Sequence, residues 1–383
     1  METSFNEEYI GQVPEFDKIA ELFDAMIVKA RKTPKTINPN NLPENKAIEK
    51  IFKKFFGFKA YHLYWIPSDT RNAFTFTSSM MRAGERGEKI FERKPGHGFY
   101  DTEHQCKVYM MSYAGLLLKD ANLTGKEFTA IFLHEIGHNC DWAPFMHMNI
   151  LTKLYLAMYN KKAVDYHNEI KDETYKMFKA EYDKIYNDPK ERKAQRERDD
   201  RYYDVRINSL PLHVINGLIN LTINITSGTL LTIPIQLLNA DSKKSEQFAD
   251  SFAVAYGLGP ELMSGLGKLG DYSKYVRKTD PLHNLFRDFD SAQSEIYAVL
   301  FDCHSSDQQR CKDCIVKLRK DLKSGDYPPE MKSDLLDELH ELENEYNQIL
   351  SGGPPLVRGW RRFIDIFFGG RLDFTRIFGQ HQM

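Results

Sequence analysis

The residues with the most evident chemistry stand together at His134-Glu135-Ile136-Gly137-His138, at the end of the apolar run Ile131-Phe132-Leu133. Side chains four positions apart share one face of a helix, so His134 and His138 can turn imidazole nitrogens towards a single ion with Glu135 beside it. A catalytic zinc site needs three protein ligands and a fourth position open to water, whose pKa the ion lowers to about 7. Glu135 is then placed to take the proton of that water and pass it to a leaving amine. The stretch Leu123-Thr124-Gly125-Lys126-Glu127 reads as a helix start, with Thr124 as N-cap and Glu127 closing a capping box. Because Phe128, Ile131, Phe132 and Leu133 follow, the motif is expected on a largely buried helix and not on a solvated face.

The third ligand decides the class of site. One pattern places a histidine six residues after the second, but Pro144 stands there, Asp141 occupies the place of the midway glycine, and His147 is off that spacing. The other pattern draws a glutamate from a second helix, and Ser245-Glu246-Gln247-Phe248-Ala249-Asp250 is the best candidate. Glu246 and Asp250 are four apart, so the first can bind the metal while the second accepts a hydrogen bond from a ligand histidine and fixes its tautomer. On spacing alone the plainer account, two surface acids of an amphipathic helix, is the stronger. In that case Glu169, Glu173 and Glu181 compete as ligands.

The acidic segment is similar to the E-x-x-A-D signature of the HtpX-like and CAAX prenyl endopeptidase-like family of zinc metallopeptidases, which are gluzincins. Neighbouring segments agree in order: Asn72-Ala73-Phe74, then Val108-Tyr109-Met110-Met111 leading to Gly115-Leu116-Leu117, then the His134 to His138 helix, and later Gly259-Pro260-Glu261-Leu262. The likeness spans about residues 44–290. It implies an α+β fold, a mainly helical zincin-type domain with a small β-sheet beside the active-site cleft. It further implies a zinc endopeptidase with His134, His138 and Glu246 as ligands, Glu135 as general base, Asp250 supporting a ligand, and Asn72, Ala73 and Phe74 on a sheet edge that holds a peptide or protein substrate as an added strand. One segment departs from the pattern. Where the family has S-T-H-P and an arginine, this chain has Lys278-Thr279-Asp280-Pro281-Leu282-His283, with Arg287 one position late. His283 is the candidate to replace the missing histidine as the donor to the oxyanion of the tetrahedral intermediate.

The elements that must position these groups follow from periodicity. Helices are expected over Phe16 to Lys32 and Ile48 to Phe56, and strands over Lys59 to Ile66 (Tyr61, Leu63 and Trp65 on one face), Asn72 to Thr77 and Val108 to Ser112. Residues 81–105, rich in Gly, Arg and Glu, read as a loop over the site. An insertion of about residues 160–240 has two parts. Lys161 to Arg206 reads as solvated helices with tyrosines at helical spacing, and its interleaved acids argue against nucleic acid. Ile207 to Ala240 carries no Asp, Glu, Lys or Arg, yet Asn208, His213, Asn216, Asn220, Asn224 and Gln236 interrupt it, with Pro211 and Pro234 near its ends. Such polar groups are costly in hydrocarbon, so a buried hairpin or shielded contact surface is expected there and not a transmembrane span.

Beyond residue 290, helices are expected over Ser291 to Phe301, Cys311 to Leu322 and Met331 to Leu350, and then an aromatic and basic tail over 351–383. The domain reading is therefore an N-terminal helical extension over 1–43, a metallopeptidase domain over 44–290, a helical region over 291–350 and the tail. Cys303, His304, Cys311 and Cys314 form a candidate second, structural zinc site, three thiols and an imidazole with a C-x-x-C half. The tail and the insertion are candidate surfaces for a protein partner. Net charge is -2 over 383 residues, which points neither to nucleic acid nor to an anionic membrane. No secretory signal opens the chain, and five cysteines do not form a disulfide framework, so a cytoplasmic setting is expected, with a virion or membrane-peripheral one left open. The competing function is a non-catalytic or latent component of a larger assembly, viral or not, built on a metallopeptidase fold.

Overall fold

The structure is a computed structural model. It describes residues 9–33, 37–70, 72–77, 91–94, 98–101, 106–119, 121–140, 161–270, 281–300 and 306–370. The expected α+β class is found, mostly helical with a small sheet. Two compact units divide the chain, Met1–Asp200 with Phe252–Leu269, and Arg201–Ser251 with Gly270–Met383.

The first unit begins with α1 (Pro14–Lys32), whose buried residues Phe16, Ile19, Ala20, Phe23, Met26, Ile27 and Ala30 form one apolar stripe. Expected as part of an extension, it is instead central to the core. Phe23 stacks on Phe128 at 5.1 Å and meets Phe132 edge-on at 4.9 Å, both on the motif helix α3 (Gly125–Cys140). The two helices come so close that a Cβ on Gly125 would stand 1.9 Å from the carbonyl oxygen of Ala20. Helix α2 (Pro43–Phe56) starts on Pro43 and stops at Gly57, whose φ of 68° is the left-handed conformation that glycine adopts freely.

The sheet consists of β1 (Ala60–Ile66), β2 (Ala73–Thr77) and β5 (Lys107–Tyr113) in the order β1-β5-β2. Strand β1 is parallel to β5, and β2 is antiparallel to it, with Phe74 opposite Met111. Residues 81–105, expected to be a loop, contain an antiparallel ribbon of β3 (Phe91–Lys94) and β4 (Gly98–Asp101). Trp65 on one sheet face meets Phe128 and Phe132 at 5.9 and 6.2 Å.

The opposite sheet face is covered by α4 (Lys161–Asn187), where Tyr175, Phe178 and Tyr182 pack on Tyr64, Ile66 and Met111. This corrects part of the reading of 161–206 as solvated helices: Tyr175 and Tyr182 belong to a packing face, whereas the later stretch is largely exposed, Tyr202 included. Tyr64 donates to Asp183 at 2.7 Å, Asp172 pairs with Lys107 and accepts from Tyr109, and burial followed by the Asp172 hydrogen bond raises the Tyr109 pKa above its ordinary value. Helix α5 (Pro189–Asn208) reaches the loop after β1 through Asp199, which accepts from Ser68 Oγ at 3.0 Å and the Asp69 amide at 3.1 Å.

The uncharged stretch is no hairpin. It forms most of α6 (Leu210–Ala255), an unbroken helix of 46 residues that passes through Pro234. Among the described residues no helix is long and apolar enough to cross a membrane. After α7 (Gly259–Gly270) come α8 (Pro281–Leu300), α9 (Asp307–Ser324), α10 (Pro329–Ser351) and α11 (Pro355–Phe368). Within the second unit α11 folds back, with Val357 and Ile364 buried, Arg361 paired to Glu295 at 2.9 Å, and Tyr346 donating to Asp365 at 2.7 Å.

Truncating Phe128 should expose how far the motif helix depends on α1. Phe128→Ala is expected to cost about 3–5 kcal/mol, read as a lower denaturant midpoint for the first unit.

Candidate metal centre

Helix α3 starts as its sequence requires. The Thr124 amide donates to Glu127 Oε2 at 2.8 Å and the Glu127 amide to Thr124 Oγ1 at 3.3 Å, which is a complete capping box. Asp24 on α1 accepts a further orphan amide, that of Gly125, at 2.7 Å. Buried Glu127 also accepts from Lys268 Nζ at 2.6 and 2.8 Å and from Ser264 Oγ at 2.6 Å, both on α7. A carboxylate shut away from water needs such partners, and here they hold α3 in register.

One face of α3 then presents the motif. His134 is buried, His138 and Glu135 half-buried. The rings of His134 and His138 are 4.7 Å apart and nearly perpendicular, with their Nε2 atoms 3.1 Å from each other. Two ligands on one tetrahedral ion, each about 2.0–2.1 Å from it, stand about 3.3 Å apart. Glu246 on α6 completes the set: one donor atom each of His134, His138 and Glu246 lie within 4.8 Å of one another. Among the described residues this is the only group of three or more His, Cys, Asp or Glu side chains able to hold a metal ion. The donor set fits a divalent cation, since two neutral imidazoles and one carboxylate compensate much of its charge and leave a position open.

Of the competing glutamates, Glu173 and Glu181 are exposed on α4, and the side chain of Glu169 lies outside the described residues. Comparison of the chain with known protein families, curated proteins and solved structures finds no match. The metal centre therefore stands on its own geometry.

Asp250 was expected to support a ligand histidine. Its carboxylate receives a two-pronged hydrogen bond from Arg310 on α9, Nε to Oδ2 at 2.9 Å and Nη2 to Oδ1 at 2.5 Å. Nη2 of Arg310 also stands 3.8 Å from Glu246 Oε2. Burial acts to lower the pKa of the guanidinium, and Asp250, then Glu246 and Asp307, outweigh it, so the net shift is upward and the charge is secure.

The remaining candidates are placed as follows. Ala73 opens β2 and Asn72 directly precedes it, the Asn72 carbonyl accepting from the Tyr113 amide at 3.0 Å. Phe74 lies on the same strand, its side chain outside the described residues. His283 is in the first turn of α8, and its side chain too lies outside them. Cys303, His304, His147, Asp141 and Pro144 fall wholly outside them. Cys311 and Cys314 are buried free thiols, with Cys311 pushed up to about 12 and Cys314 also raised, in both cases chiefly by burial.

Two further residues emerge only in three dimensions. Thr75 on β2 donates to the backbone carbonyl of Glu135 at 3.0 Å, and Asn139 Nδ2 donates to the same carbonyl at 3.1 Å and to Thr75 Oγ1 at 2.8 Å. A sheet strand is thereby fastened to the motif at Glu135. The one trace of this in the sequence is Asn139 itself, a polar side chain on an otherwise buried helical face.

Elemental analysis after removal of loose metal should find about one divalent ion per chain, and His134→Ala or His138→Ala should reduce it to near zero.

Proposed function

We propose that this chain is a zinc-dependent endopeptidase of the zincin type, with His134, His138 and Glu246 as metal ligands and Glu135 as general base. The observation that carries this is the meeting of the motif histidines with Glu246, a residue far off in sequence, in one partly buried cluster. The order of motifs resembling the HtpX-like and CAAX prenyl endopeptidase-like family supports the same reading. His134, His138 and Glu246 would hold the zinc, which would supply Lewis acidity for a bound water and for the scissile carbonyl. Glu135, beside the ligands on the same helix, accepts the water proton and delivers it to the departing amine.

The substrate strand has a natural seat. The outer edge of β1 is already occupied by side chains acting as a strand: Asn40 bonds both the amide and the carbonyl of Trp65 at 2.7 and 3.0 Å, Asn45 donates to the Leu63 carbonyl at 3.0 Å, and Glu49 accepts from the Leu63 amide at 2.8 Å. Strand β2 is the other outer strand of the three. It is also the one fastened to Glu135 through Thr75 and Asn139. An extended peptide added to β2 satisfies its main-chain groups there, with little demand on its sequence.

A second reading, a binding component that keeps its metal for stability, is favoured by one observation. Helix α11 exposes Leu356, Phe363, Ile366 and Phe367 on its outward side. Chelator-sensitive fragmentation of an unfolded protein by the purified chain decides for the peptidase, and its absence decides for the binding component.

Glu135→Gln should lower peptide cleavage by about 10²–10⁴-fold while the zinc content stays at the wild-type level. Unchanged cleavage would remove Glu135 from the chemistry. Thr75→Val, which keeps the shape of β2 but loses the hydroxyl that reaches Glu135, should reduce kcat by a smaller factor, with zinc content again unchanged.

A further inference from the structure

We infer that Arg310 is a positioning residue for the metal ligand Glu246, and that the helical region after residue 306 is thereby part of the metal centre. The inference rests on the peptidase reading only in taking Glu246 as a ligand.

Glu246 and Asp250 sit one turn apart on α6, both buried, with 6% and 3% of their surface exposed. Two carboxylates so close and so far from water repel each other and lose hydration. Arg310, itself 8% exposed in the first turn of α9, is set against both. Its two bonds to Asp250 fix the plane of the guanidinium, which a single bond would leave free to swing. With the plane fixed, Nη2 faces Glu246 Oε2 at 3.8 Å. That separation is too long for a hydrogen bond and short enough for strong attraction in a buried setting. Arg310 therefore draws the Glu246 carboxylate to one place without using up the oxygen lone pairs that a metal requires.

The helix that carries Arg310 is itself anchored for this task. Ser306 caps α9, its hydroxyl accepting from the Gln309 amide at 3.3 Å, and Arg310 follows directly. A second bond joins the same two helices, Gln247 Nε2 to Asp313 Oδ2 at 2.7 Å, one residue along from Glu246. It ties the helices without adding a charge at the carboxylate ligand, and so provides the control.

The test uses the full chain and zinc alone, with affinity measured by competition against a chromogenic chelator. Arg310→Lys keeps the charge and loses the fork, Arg310→Met loses both, and Asp250→Asn frees the guanidinium. Each is expected to weaken zinc binding by about 10–100-fold, as loss of a group that orients a ligand does. Asp313→Ala is expected to lower thermal stability and leave zinc affinity at the wild-type value. If Arg310 merely ties helices, all four variants lose stability and keep wild-type affinity, which overturns the inference. If Arg310→Met does not fold, Arg310→Lys and Asp250→Asn carry the decision, and wild-type affinity in both overturns it. A wild-type chain that binds no zinc sinks the peptidase proposal and this inference together, whereas zinc binding indifferent to Arg310 sinks this inference alone.

Discussion

Two imidazoles and a carboxylate must be held a few ångströms apart on groups that water would otherwise surround, and most of the structure follows from that demand. The motif sits on α3, whose residues from Phe128 to Leu133 are almost wholly buried. Polar groups buried on such a helix need internal partners, and several are supplied by neighbouring elements. Glu127 has Lys268 and Ser264, Thr129 donates to the Gly125 carbonyl at 2.8 Å, and Asn139 has Thr75 and the Glu135 carbonyl. The aromatic contacts of Phe23 and Trp65 with Phe128 and Phe132 provide the bulk of the packing, and the polar bonds select one orientation within it.

The sheet performs two services. Its inner face supports α3 through Trp65, and its two margins are treated differently. Along β1, asparagine and glutamate side chains already bond the main-chain groups of Leu63 and Trp65 that another strand would need. Along β2, the fastening to Glu135 runs through the strand itself. This asymmetry gives direction to a shallow three-stranded sheet that would otherwise offer two equivalent borders.

Much of this was legible in the chain because it is locally encoded. The capping box of Thr124 and Glu127, the histidine spacing, the alternation in β1 and the spacing of Glu246 and Asp250 are all patterns within a few residues, and the limits of α1, β1, β2, β5, α9 and α10 fell close to those expected, whereas α8 starts at Pro281 and not at the expected Ser291. What escaped depends on distant partners. Tyr175, Phe178 and Tyr182 have the same spacing whether they face water or a sheet, so their packing on Tyr64 and Met111 could not be read from α4 alone. Pro234 suggested a break, since a proline inside a helix forfeits a hydrogen bond and costs about 3 kcal/mol, yet α6 continues through it. Arg310 carried no local mark at all. Its meaning lies in Asp250 and Glu246, two acids that by themselves resembled a solvated face.

The amides of Ile10 and Gly11 both donate to the carbonyl of Ala255, at 2.7 and 3.1 Å, and Phe16 packs edge-on against Tyr256 at 4.9 Å. The first unit is thus closed by residues synthesised more than half a chain after its opening helix. During translation α1 and α3 are available early, but they wait for the end of α6 before their unit is complete, and loops of that length make closure slow. Glu246, the carboxylate of the candidate metal centre, arrives with the same late segment, and Arg310, bonded to Asp250 one turn along, later still. A ribosome-bound chain therefore carries His134 and His138 for much of its synthesis without Glu246 beside them. The order of manufacture, by itself, brings the three side chains of the candidate metal centre together only after the end of α6 has been made.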